Sequence, residues 1–278
     1  TQQWRLNGAI TNADAQDRWM LTVPVSYPAD GTAMTTLRKS AANIRLGEYI
    51  ADATAESIAR YGLDTPRIVI RLHQAAGTIG AVGTTGSYAT TDYPEATITL
   101  VIGEQESELV DYVLYDGGIY RCSTLLLRGV MNADWQETIT RYPVLTALGN
   151  LASLSRETAD GVDTWVITRT EQVAENNELV TDDEGNQVYD IALTKNGESA
   201  DYTAFSAAYN QLMMVTMSGR LPDNWTAADV PHTVWTFTDV DGTVHTVALT
   251  RYDAMHDAVA VDGVALFYLI QGGFSLGI

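Results

Sequence analysis

One stretch of the chain sets a histidine among carboxylates, Asp253-Ala-Met-His256-Asp257. General acid–base work would need a third group and a pocket beside such a pair, and a metal would need a closed ligand set. No further ligand stands at suitable spacing, and His73, His232 and His245 are scattered singly through strand-like runs. An offset of 146 residues aligns Asp257 with Asp111 and His256 with Val110. A position that accepts either His or Val reads as structural.

The other chemical motifs fare no better. Gly77, Gly80, Gly83 and Gly86 form a regular series, but a phosphate-cradling loop must open a helix, and Ser87 to Pro94 reads as loop. The segment lacks the lysine of such loops as well. Asp182-Asp183-Glu184-Gly185-Asn186 and Asp239-Val-Asp241-Gly242 faintly resemble calcium loops, yet neither has the distal Glu at the required distance. Both read as turns. Cys122 is the single cysteine, so no disulfide framework exists, and its apolar neighbours make it a small buried hydrophobe. The expectation is therefore a non-enzyme with no catalytic, cofactor or metal residues. Trp135 and Trp225 stand apart, because each is a large ring in a polar loop (Asn132-Ala-Asp-Trp-Gln and Asp223-Asn-Trp-Thr). They are the candidate interaction surface.

Two helices with capping aspartates are expected among the elements that must position these residues. Asp30 precedes a run with Met34, Leu37, Ala41 and Ile44 on one face, and Asp201 precedes one with Phe205, Ala208, Leu212 and Val215. A short helix over about 55–61 stops at Gly62. Alternating strands follow Pro66 and Pro231, and Asp116-Gly117, Asp241-Gly242 and Asp262-Gly263 mark hairpins.

Many of these features recur. Trp19-Met-Leu-Thr returns as Trp165-Val-Ile-Thr, and Asp116-Gly117 as Asp262-Gly263, both at an offset of 146. Pro66-Arg67 returns as Pro231-His232 at 165. The reading is an α+β fold made by tandem duplication, with one or two helices laid on an antiparallel sheet in each copy. The copies are residues 1–150 and 151–278, and segments 75–95 and 171–195 are surface loops at which the copies differ in length.

The bulk numbers exclude some partners. Across 278 residues, 35 acidic side chains face 16 basic ones, a net charge of −19, with mean hydropathy near zero. Such a surface repels nucleic acid and anionic lipid. No run approaches the roughly 18 apolar residues of a membrane span.

The combination Trp19-x-Leu-Thr-x-Pro24, Ala29-Asp30 and Tyr61-Gly-Leu-Asp-x-Pro66 resembles the bacterial family called domain of unknown function 4340. Leu100-Val-Ile-Gly103, Tyr112-Val-Leu-Tyr115 and the turn from Gly117 to Tyr120 fit the same pattern, over roughly residues 17–127. The resemblance implies an extracytoplasmic protein held by an N-terminal membrane anchor that this chain does not contain. It also implies the company of ABC-type transporters related to gliding-motility systems, and it brings no catalytic residues. The expected function is a non-catalytic interaction or scaffold domain, accessory to an ABC-type membrane complex, with membrane-complex proteins as partners. Two alternatives are a cell-surface polysaccharide-binding module and, more remotely, a carboxylate-dependent hydrolase.

Overall fold

A computed structural model of the chain describes residues 5–7, 19–74, 76–82, 88–174, 179–182, 184–185 and 187–278. Its elements run β1 (Arg5–Asn7), β2 (Met20–Val23), β3 (Tyr27–Pro28), α1 (Gly31–Ala42), β4 (Leu46–Asp52), α2 (Ala55–Arg60) and β5 (Ile68–Gln74). Then come β6 (Gly77–Val82), β7 (Tyr88–Tyr93), β8 (Ala96–Ser107), β9 (Val110–Tyr115), β10 (Gly118–Ser123), α3 (Thr124–Met131) and α4 (Trp135–Thr138). The remainder is β11 (Leu151–Thr158), β12 (Gly161–Glu171), β13 (Tyr189–Lys195), β14 (Glu198–Ala200), α5 (Tyr202–Met213), β15 (Gly219–Arg220), β16 (Thr233–Asp239), β17 (Val244–Arg251), β18 (His256–Val261) and β19 (Val264–Ile270).

The chain forms two compact units. Among the described residues, one takes Trp19 and Ala29–Thr138, and the other takes Arg5–Asn7, Met20–Pro28 and Ile139–Ile278. Residues 20–28 therefore belong with the C-terminal part of the chain.

In the first unit an antiparallel sheet runs β4-β10-β9-β8-β5, and β6 pairs with β7 as a separate hairpin. The core lies between this sheet and α3, where Ile70, Leu100, Ile102, Val113, Cys122 and Leu127 are buried. Cys122 packs there as expected, its thiol donating to the Arg45 carbonyl at 3.3 Å. Burial pushes that thiol up. α1 starts where Asp30 accepts a hydrogen bond from Ala33 N at 2.8 Å. α2 ends at Gly62, whose φ of 64° lets Leu63 N reach back to the Ile58 carbonyl.

The second unit holds a nine-stranded sheet, β14-β13-β12-β11-β16-β17-β18-β19-β15, and the small sheet β1-β2-β3. α5 begins at Asp201, which accepts from Thr203 N and Ala204 N, and it buries Phe205, Tyr209 and Leu212. Trp165 and Trp235 stack at 6.4 Å in this core, with Phe205 and Phe274 against them.

The α+β expectation is corrected. Strand makes up 48% and helix 19%, so the protein is mostly β, built on large antiparallel sheets. The helix-on-sheet duplicated unit is not what forms. Trp165 sits inside β12 of the nine-stranded sheet, whereas Trp19 lies just before β2, in the segment leading to a separate three-stranded sheet. Strands also arise where loops were expected: 77–82 and 88–93 pair with each other, and 189–195 pairs with β12. Leu151–Thr158, left unassigned by the periodicity, bridges β12 and β16 and so fuses the sheet. The physical reason is that Thr, Val and Tyr in short alternation satisfy strand pairing even where the mean polarity reads as loop.

Candidate functional site

The turn between β17 and β18 concentrates the groups most able to contact a ligand. Asp253 accepts hydrogen bonds from Met255 N at 2.7 Å and His256 N at 2.9 Å, and its carboxylate lies 2.9 Å from His256 Nδ1. The Met255 N–H and then the His256 side chain hold the Asp253 carboxyl below its usual range. Gln271 Nε2 donates to the Asp253 carbonyl at 3.1 Å. This Asx-type turn locks the loop.

A row of rings continues from it. His256 meets Tyr268 edge-on at 4.9 Å, and Tyr268 stacks on Tyr252 at 5.3 Å. Tyr252 in turn receives Trp225 edge-on at 6.3 Å. All four rings are half-buried. Strand register explains the grouping: Tyr268 pairs with Ala258, two residues beyond His256, so both side chains share a face. Tyr268 also lies close over Gly219, where any Cβ would strike the ring.

Asp257 does not join the row. It neighbours His256 on β18 and so points to the opposite face, where it is buried with Oδ1 3.2 Å from His232 Nε2 and 3.5 Å from Arg251 Nη1. Asp253-x-x-His256-Asp257 is thus one surface pair and one buried carboxylate facing exposed His232 and Arg251 side chains. In the first unit Asp111 occupies the matching strand position, fully buried, with Arg67 and Thr124 bonded to it. The signal for both pairs was in the chain, since the offsets match Arg67 to His232 and Asp111 to Asp257. The likeness is local and structural.

Trp225 is half-exposed in the loop following β15, its ring turned to Tyr252. Trp135 corrects the expectation of an exposed ring, being 8% exposed. Asp134 accepts from Gln136 N and Glu137 N, starting the one-turn helix α4, and that turn carries the ring inward. The polar loop was a helix cap, which the sequence reading missed.

The remaining candidates fall into ordinary roles. Gly77 and Gly80 lie in β6, while Gly83 and Gly86 fall outside the described residues. Asp182 accepts from Glu184 N, and Asp241 from Thr243 N, as in simple turns. Asp183 and Asn186 lie outside the described residues. Among the described residues no group of three or more His, Cys, Asp or Glu side chains is placed to hold a metal. His73 lies near Thr97 and Glu95, and His245 beside Asp262. An open cleft of about 360 Å³ in the first unit is lined by Arg67, Thr124, Arg128 and Gln105, among others. Arg67 is already committed there to Asp111.

The fold and site describe a β-sheet protein with a row of four half-buried aromatic rings. The chain matches, over residues 19–231, the family described as Domain of unknown function (DUF4340), and it belongs to that family. No curated protein and no solved structure matched it.

Proposed function

We propose that this protein is a non-catalytic extracytoplasmic interaction domain, a membrane-anchored accessory part of an ABC-type membrane complex. The observation that carries the reading is the strip Trp225–Tyr252–Tyr268–His256, four adjoining half-buried rings on one face. Aromatic side chains of this kind supply rigid contact area at small conformational cost. The anchor is a separate matter, because among the described residues no helix is long and apolar enough to cross a membrane. Capture from native membranes tests the proposal. The tagged full-length protein should retain permease and ATPase components, and Trp225→Ala combined with Tyr252→Ala should reduce that yield several-fold. Equal yield from both would sink the role of the strip.

A second reading, a cell-surface polysaccharide-binding module, is favoured by the polar groups around the same rings. Asp253, His256 Nε2 and the Gln271 amide could serve sugar hydroxyls while a tyrosine edge packs on the pyranose. Affinity electrophoresis in gels containing soluble polysaccharide separates the two: retarded migration that Trp225→Ala abolishes would favour the glycan.

A further inference from the structure

The geometry points to a binding site for a small zwitterion, an amino acid or short peptide with free termini, in the open cleft between α3 and the adjoining ends of β8 and β9. The inference goes beyond the interaction-domain reading and does not depend on the aromatic strip.

The cleft forms where the core face of the five-stranded sheet runs out of apolar residues. Ile102 pairs with Val113, and both are buried in the core cluster. Regular alternation would next bring Glu104 to that face. The register shifts instead, so that Gln105 pairs with Asp111, and it shifts again before Ser107 meets Val110. Extra residues of this kind bend a strand and re-aim its side chains. Asp111, two residues from Val113, keeps to the core face, and the shift brings Gln105 to the same side. On the helix, Thr124, Arg128 and Met131 line the cleft, and their four- and three-residue spacing puts them on one face of α3.

Two opposite charges at this place neutralise each other. Asp111 is fully buried and takes hydrogen bonds from Arg67 and from the Thr124 hydroxyl, the latter at 2.7 Å. Arg67 is braced further by its Nε, which donates to the Gly103 carbonyl at 2.6 Å. Glu108 and Arg128 remain. Both are exposed and line the cleft, Glu108 from the turn between β8 and β9 and Arg128 from α3. Neither forms an ion pair or a side-chain hydrogen bond with the other or with any other described residue. The cleft thus holds one unmatched anion and one unmatched cation, with Met131, which packs on the core cluster, as an apolar patch.

Those charges select the ligand. A carboxylate suits the planar guanidinium of Arg128, and an ammonium suits Glu108. A simple anion would leave Glu108 opposing it, and a simple cation would leave Arg128 opposing it. A ligand of zero net charge also escapes the field of a chain with net charge −19. The volume of about 360 Å³ lies at the small end of the roughly 300–1,000 Å³ of small-molecule sites, which suits a few residues at most.

Isothermal titration calorimetry on the full chain tests the site with alanine and trialanine, each also in N-acetylated and C-amidated form. One of the two free forms should bind with a dissociation constant of roughly millimolar or below, alanine for a single amino acid and trialanine for a peptide. Blocking either terminus should weaken it at least about tenfold, the loss expected when a hydrogen bond to a charged group is removed. Arg128→Gln should erase the penalty of amidation and keep that of acetylation, and Glu108→Gln should do the reverse. Both side chains are exposed, so a melting temperature matching wild type should accompany each variant. No binding by either free form, a penalty at one terminus only, or penalties that neither variant moves overturns the assignment. Capture of permease and ATPase components, which tests the aromatic strip, is unaffected by any of these results.

Discussion

Two tryptophans with nearly the same sequence context meet different fates, and their energetics should differ accordingly. Trp135 is buried behind a one-turn helix, whereas Trp225 leans on Tyr252 with part of its surface in water. Truncating a buried Trp costs about 3–5 kcal/mol, and a half-exposed one much less. Urea unfolding should therefore place Trp135→Ala in that range and Trp225→Ala below about 2 kcal/mol. Similar losses for both would remove Trp225 from the contact surface. Asp253 gives a second test at this scale. Its carboxyl is held below the usual range by the Met255 N–H and His256, so the folded state binds fewer protons there than the unfolded chain. That contribution is present above about pH 4 and is lost as pH falls through the lower folded value. Asp253→Asn should flatten the acid limb of a stability–pH curve below about pH 4. An unaltered limb would mean the turn does not hold the carboxylate in solution.

The helices of each unit depend on their aspartate caps, and the strands on their turns. Asp30 accepts from Ala33 N, and Asp201 from both Thr203 N and Ala204 N. Replacing either with Ala should cost about 1 kcal/mol, and Asn should recover most of it. A thermal or urea midpoint that ignores Asp201→Ala would mean that α5 is set by Phe205, Tyr209 and Leu212 alone. The hairpins repeat a common solution: Asp116-Gly117, Asn196-Gly197 and Asp262-Gly263 all place both residues at positive φ. Asp241-Gly242 is different, since among these two only Gly242 has positive φ. Asn196-Gly197 escaped the sequence reading although it carries the same signal and follows directly on the expected loop 171–195.

For the molecule as a whole, acidity invites a metal interpretation that the side-chain placement does not encourage. Calcium, zinc or EDTA should move the melting temperature by no more than about a degree. A specific binder at a hundredfold excess over its dissociation constant would stabilise by roughly 2.7 kcal/mol, which a melting curve would reveal. A calcium-dependent rise of several degrees would return the Asp-rich turns to consideration.

Local signals were legible from the residues alone. The two capped helices, the Gly62 stop, the Asp-Gly hairpins, the buried Cys122 and the family follow from spacing and side-chain chemistry within a dozen or so neighbours. The strip was half-visible, with Trp225, Asp253 and His256 singled out but not joined. What joined them was register: strand pairing carried Tyr252 and Tyr268 beside His256 and sent Asp257 to the other face. The same cause defeated the duplicated α+β reading. Sheet membership depends on which distant strand supplies the hydrogen bonds, and nothing local in Leu151–Thr158 or Tyr189–Lys195 names that partner. Only tertiary pairing could fuse those segments into nine strands.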